Sequence, residues 1–168
     1  MGYTHLTDIS EFVSPFAFGK TAGTWTPTIA SNLVSDVRTA AGADFTVLIP
    51  VIQPGSSIGK QGAKLISVDV FYKIETAAAT AFAVALQKVT LGAHGVASAG
   101  AAVTHTLDAD HAAEADRYAA GDHKLTATLS TPAFIAKNSA LWLSFVITGA
   151  ASTVYTNFGA QVNYTLRI

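Results

Sequence analysis

The chain closes on VYTNFGAQVNYTLRI, residues 154–168. Val154, Thr156, Phe158, Ala160, Val162, Tyr164, Leu166 and Ile168 take alternate positions, with Asn157, Gly159, Gln161, Asn163, Thr165 and Arg167 between them. Side chains of a strand point to opposite faces in turn, so this period of two reads as one long strand with an apolar face. Such a face needs a second layer to cover it. Working back, Ile66, Val68, Val70, Tyr72 and Ile74 alternate with Ser67, Asp69, Phe71 and Lys73, which predicts a strand with Asp69 and Lys73 facing water. Phe45, Val47, Ile49 and Val51 form a third run, and Leu141, Leu143, Phe145 and Ile147 a fourth, with Trp142, Ser144 and Val146 opposite. Shorter runs are Trp25 to Ile29, Phe82 to Leu86, Val103 to Leu107 and Leu125 to Leu129. A phase change after Leu86 predicts a bulge near Gln87 and Lys88.

Turn signals separate these runs. Ser31, Asn32 and Ser35 punctuate after the run at 25–29, Gln53 to Ser57 closes the run at 45–51, and Pro132 ends the strand at 125–130. Pro27, lacking a ladder N–H, marks an edge strand. Residues 92–102 are rich in Ala, Gly and Ser and read as an exposed loop. Residues 108–118 combine acids with alanine, predicting one short helix stopped by Gly121. About eight strands with one minor helix imply an all-β antiparallel sandwich, with jelly-roll topology the common solution at that strand number. Its core is expected to hold Phe45, Val47, Ile49, Val68, Val70, Tyr72, Leu143, Phe145, Phe158, Val162 and Tyr164.

Residues 1–23 lack clean periodicity, because Pro15 and Gly19 interrupt Phe12, Val13, Phe16 and Phe18. They read as an N-terminal arm with a helical turn near 10–13, leaving 24–168 as the sandwich domain. With Asp8 and Glu11 and no apolar run behind a basic front, the arm is not expected to be a signal peptide. No run of about 18 apolar residues occurs, so no spanning helix and no membrane partner are expected.

Composition narrows the function classes. The 168 residues carry a net charge of -1, 50% apolar and 12% charged residues, and no cysteine. That excludes disorder driven by charge, nucleic-acid binding by bulk positive potential, disulfides and thiolate metal sites. Few charges and little mutual repulsion favour association.

Motifs for catalysis are weak. Gly55-Ser56-Ser57-Ile58-Gly59-Lys60-Gln61 is one residue short of a phosphate loop and has Gln61 where a hydroxyl must bind Mg²⁺. The same string formally fits a nucleophile elbow around Ser57, but in an all-β context. His105, Asp108, Asp110, His111 and Glu114 make the densest polar cluster. A solvated, capped helix–loop is the preferred account of it, and no metal or cofactor is expected to be needed for folding. Trp25 and Trp142 raise the question of sugar stacking, and Trp142 equally suits a subunit contact.

The arm through Phe18, the run Lys64 to Ile74, the segment Gly121 to Leu125 and the strand from Val154 to Ile168 together resemble the small jelly-roll capsid decoration (auxiliary, or cement) proteins of tailed bacteriophages. The resemblance covers most of the chain and rests on no diagnostic motif. It implies a structural, non-enzymatic protein, trimeric on the capsid surface of the virion and bound to the major capsid protein. Phe12, Phe16, Phe18, Phe71 and Trp142 are the expected contact residues. The alternative is a tail or head-fibre module recognising a host surface glycan.

Overall fold

A computed structural model describes residues 6–31, 33–52, 63–92, 96–136 and 138–167. These residues form twelve strands in two antiparallel sheets. In chain order they are β1 (Leu6–Val13), β2 (Gly19–Lys20), β3 (Trp25–Ala30), β4 (Leu33–Arg38), β5 (Asp44–Val51) and β6 (Ala63–Glu75). Then follow β7 (Ala81–Thr90), β8 (Ala101–Ala102), β9 (His105–Leu107), β10 (Gly121–Phe134), β11 (Ser139–Thr148) and β12 (Val154–Arg167).

The first sheet runs β3-β4-β12-β6-β10-β9, with β1 also on β12; the second runs β2-β5-β11-β7-β8. Within them, β4-β12-β6-β10 faces β5-β11-β7-β8, which is the jelly-roll order. The expected sandwich is therefore present, and its eight principal strands carry four smaller additions. The core between the sheets holds ten of the eleven residues named from the sequence. Tyr72, Phe82 and Phe145 pack edge-on or tilted at centroid distances of 4.9–5.8 Å, a geometry that favours aromatic pairs.

The exception is Phe158. Asn157 pairs with Tyr72 and Gly159 with Phe71, so Phe158 is an extra residue in β12. This bulge flips the strand. Before it Tyr155 and Asn157 face inward; after it Ala160, Val162 and Tyr164 do. The uninterrupted alternation read from 154 to 168 holds only beyond Gly159. Conversely, no bulge occurs at Gln87–Lys88, where β7 stays in register with β11 from Ala81 to Thr90. Nor does Pro132 end β10. The strand reaches Phe134 across a register shift between Thr128 and Ala133.

Residues 6–13 contain no helical turn. They form β1, which pairs with β12 from Leu6↔Arg167 to Val13↔Ala160. β4 covers the earlier part of the same edge, at Tyr155 to Asn157, so β1 completes the edge where β4 stops. A 3-10 turn at Pro15–Ala17 follows, capped by the Ser14 hydroxyl, which accepts from the Phe16 N–H. β4 spans a stretch that the sequence presents only as punctuation. Its inward residues Asp36 and Arg38 are polar, and Ser35 is buried on the other face, so no apolar alternation announces it. Part of the expected loop at 92–102 also pairs, Ala101 and Ala102 lying against Lys88 and Gln87. The short helix, α1, spans Glu114–Tyr118 after a 3-10 turn at Ala109–His111. Among the described residues no helix is long and apolar enough to cross a membrane.

Candidate functional site

Three regions carry the residues singled out by the sequence. The first is the outer face of the second sheet. Leu141, Leu143, Phe145 and Ile147 of β11 point into the core, so Trp142, Ser144 and Val146 face out. Their register partners on β5 and β7 make three rows: Pro50–Trp142–Gln87, Leu48–Ser144–Ala85 and Thr46–Val146–Ala83. None of the nine is charged. Trp142 is half-buried among them, and Val146 is 46% exposed. Gly19 of β2 lies beside Leu48, close enough that a Cβ there would touch the Leu48 side chain at 3.3 Å.

The outer face of the first sheet differs. Lys73 pairs with Glu75 at 2.6 Å and Lys124 with Asp69 at 3.3 Å. Asp69, expected to face water, is buried under this network, where its carboxylate also accepts from the Thr126 hydroxyl at 2.8 Å. Phe71 is half-buried here with the Lys124 ammonium 6.0 Å over its ring. Phe12 is 64% exposed, and its ring covers the bare backbone of Gly159, the register partner of Phe71. Phe16 is also exposed. Phe18 is not a surface residue. It belongs to the core, because the turn at Pro15–Ala17 redirects the chain inward.

The second region is a polar pocket of the interior beneath β3, β4 and β12. Asp36 meets the Lys20 ammonium in an ion pair, and burial holds that ammonium below its ordinary value. The fully buried Arg38 donates to the carbonyls of Ala41 and Ala43 at 3.2 Å, with its guanidinium 4.1 Å from the centre of the Phe45 ring. Trp25 packs edge-on against Phe45 and Tyr155 at 5.9 and 6.3 Å, which makes it a structural aromatic rather than a sugar platform. Asn157 is completely buried, and its side-chain amide has no protein partner.

The third region is the polar cluster near α1. The structure brings together only part of the set expected there. Asp108 accepts from the Thr126 N–H at 2.6 Å through one oxygen and meets His111 Nδ1 at 2.7 Å through the other. Burial pushes the Asp108 carboxyl up, but the bonds from Thr126 and His111 outweigh it and hold the group below its ordinary value. His111 is itself buried, not exposed on a solvated helix. Its Nε2 lies 3.2 Å from Nδ1 of His123, a residue that sequence reasoning did not connect to the cluster. His123 stacks on Tyr72 at 4.7 Å and 10°. His105 instead turns to the Val103 carbonyl, and Glu114 accepts from the Phe82 N–H. Arg117 ties the segment down by donating to the carbonyls of His111, Phe82 and Ala112 at 2.8–2.9 Å. Beside the two histidines lies a depression of about 540 Å³, rimmed by Asp110, Asp116 and Asp122. The Gly55–Gln61 string lies outside the described residues.

No protein-family model matches the sequence, and comparison with curated proteins gives no match. Solved structures do show similarity. A family 11 carbohydrate-binding module from Clostridium thermocellum, in complex with a β-1,3-1,4-mixed-linked tetrasaccharide, is 8% identical with TM-score 0.40, covering 91% of this chain and 94% of that one. A structure of infectious bursal disease virus, Gx strain, is 12% identical with TM-score 0.39, covering 98% of this chain and 32% of that one. An arabinose-bound α-L-arabinofuranosidase is 9% identical with TM-score 0.40, covering 91% of this chain and 24% of that one. The chain spans only a quarter to a third of the length of these last two.

Proposed function

We propose that this chain is a structural virion protein that decorates a phage capsid, sitting on its outer surface as a homotrimer and bound to the major capsid protein. The reading assigns it no reaction and no cofactor, and assembly follows synthesis in the host cytoplasm. The observation that supports it most is the uncharged outer face around Trp142. Contact there removes no charge from water, so the desolvation cost that opposes most surface-to-surface association is small. A Trp in an uncharged surround also has a composition found at interface hot spots. Phe12 and Phe71, on the opposite and charged face, are the candidate contacts to the shell.

Light scattering on the purified protein tests the first half. The expected mass is three times the 17.4 kDa of one chain. Val146→Asp places a charge in the patch at an exposed position and is expected to yield monomer with an unchanged melting temperature. A 17.4 kDa species for the unaltered protein at micromolar concentration overturns the trimer. Co-sedimentation with capsids lacking the protein tests the second half, and Phe12→Ser is expected to weaken it.

Trp142 also supports a second reading, the glycan-recognising fibre module, since a pyranose ring stacks on an indole face. Saturation-transfer NMR with a panel of oligosaccharides separates the two, because a decoration protein gives no transfer.

A further inference from the structure

We infer that His111 and His123 form a binding site for a divalent first-row transition-metal ion, with zinc the best fit, opening into the depression beside α1. The inference is independent of the proposed role in assembly. It rests on where the four imidazole nitrogens point. His123 Nε2 lies 2.9 Å from the Ala119 carbonyl oxygen, which can only accept, so this nitrogen carries the hydrogen. His111 Nδ1 lies 2.7 Å from the Asp108 carboxylate, which also accepts, so that nitrogen carries its hydrogen too. In the neutral rings the remaining two nitrogens, His111 Nε2 and His123 Nδ1, therefore present lone pairs to each other at 3.2 Å. Two lone pairs at that distance repel unless a cation lies between them.

The spacing suits a metal. Two imidazole nitrogens bound tetrahedrally at about 2.05 Å stand about 3.3 Å apart. The surroundings also suit one. Ligating histidines characteristically donate their other N–H to a carboxylate or a carbonyl, which fixes the tautomer and raises the basicity of the ligand. Here one ring has the carboxylate and the other the carbonyl. Asp108 is in turn held by the Thr126 N–H, and His123 by its stack on Tyr72, so both rings are set before any ion arrives. Imidazole nitrogen favours zinc, nickel and copper over calcium and magnesium.

Among the described residues no three metal-ligating side chains converge on one point. The site therefore offers two nitrogens, and its remaining positions are filled by water or by a donor entering from the depression. Asp110, Asp116 and Asp122 on its rim add negative charge that draws a cation in. Such a site is open rather than closed, and its affinity is correspondingly modest.

The test uses the intact protein after chelator treatment. Calorimetric titration with Zn²⁺ is expected to show one equivalent bound, and Co²⁺ is expected to give visible d–d absorption. Mg²⁺ is expected to give neither signal. His123→Gln should abolish both. Asp108→Asn, which removes the carboxylate behind His111, should weaken Zn²⁺ binding about tenfold or more. Melting curves of both variants without metal check that they are folded. If Asp108→Asn is not, His123→Phe, which preserves the ring on Tyr72, serves as the second folded variant. The inference is overturned if the unaltered protein gives no cobalt band and no zinc heat at millimolar metal, which would mean that a proton bridges the pair. It is equally overturned if His123→Gln and His123→Phe bind zinc as the unaltered protein does.

Discussion

Gly159→Ala tests how the N-terminal strand is seated. Gly159 follows the bulge at Phe158 and has φ of +125°, a backbone that an L side chain rarely adopts. That alone costs about 1–3 kcal/mol. The new Cβ would also stand 2.5 Å from Phe12 Cζ, 2.8 Å from Phe12 Cε2 and 2.9 Å from the Val13 carbonyl oxygen. The ring is 64% exposed and can swing into solvent. Full burial of a Phe contributes about 1.5–3 kcal/mol, so losing its covered third costs roughly 0.5–1 kcal/mol. The Val13 oxygen cannot swing. It belongs to β1, whose Val13 pairs with Ala160, so relief requires the end of β1 to lift and gives up a ladder bond of about 0.5–1.5 kcal/mol. The expected total is about 2–5 kcal/mol. Urea denaturation reads it as a lower midpoint with an unchanged slope. Adding Phe12→Ala removes the ring clash only, and should recover no more than about 1 kcal/mol. A Gly159→Ala protein within about 0.5 kcal/mol of the parent would refute the bulge and the seating of β1 together.

Phe145→Ala should cost about 3–5 kcal/mol, whereas Phe158→Ala, outside the core, should cost far less in the same urea titration. Equal losses would mean that β12 has no bulge. Asn157→Leu removes a buried amide without a protein partner, so stability should rise by about 1 kcal/mol; a fall would reveal that enclosed water satisfies the amide. Burial raises the Tyr155 phenol, with a smaller push from Tyr72, and burial then Glu11 raise Tyr164. A raised phenol leaves stability intact below the unfolded value near 10 and removes it as pH climbs beyond. Alkaline absorbance titration should therefore show these two ionising only together with unfolding, and their smooth ionisation in folded protein would contradict that burial.

The sandwich was legible because apolar alternation survives wherever a strand has one face in the core, as at 45–51, 68–74 and 141–147. That periodicity is local, and composition alone already excluded thiol chemistry and bulk electrostatic binding. It failed where burial and polarity part company. Asp36 and Arg38 are inward yet polar, so β4 left no apolar trace. Glu11 lies among the alternating positions of β1, and Gly159 and Phe158 sit in phase with a strand that in fact slips by one. A slip depends on what the neighbouring strand opposes, here Phe71 to Gly159, and no property of residues 154–168 alone encodes it. The histidine pair shows the same limit. His111 and His123 are twelve positions apart, one in a 3-10 turn and the other on β10. Their approach is set by Asp108, Thr126, Tyr72 and Arg117, which come from four separate segments. Residue types supplied the chemistry of that site and of the uncharged face around Trp142. Only tertiary packing decided which of those residues meet, because contacts between distant segments follow from strand register and crossover rather than from spacing along the chain.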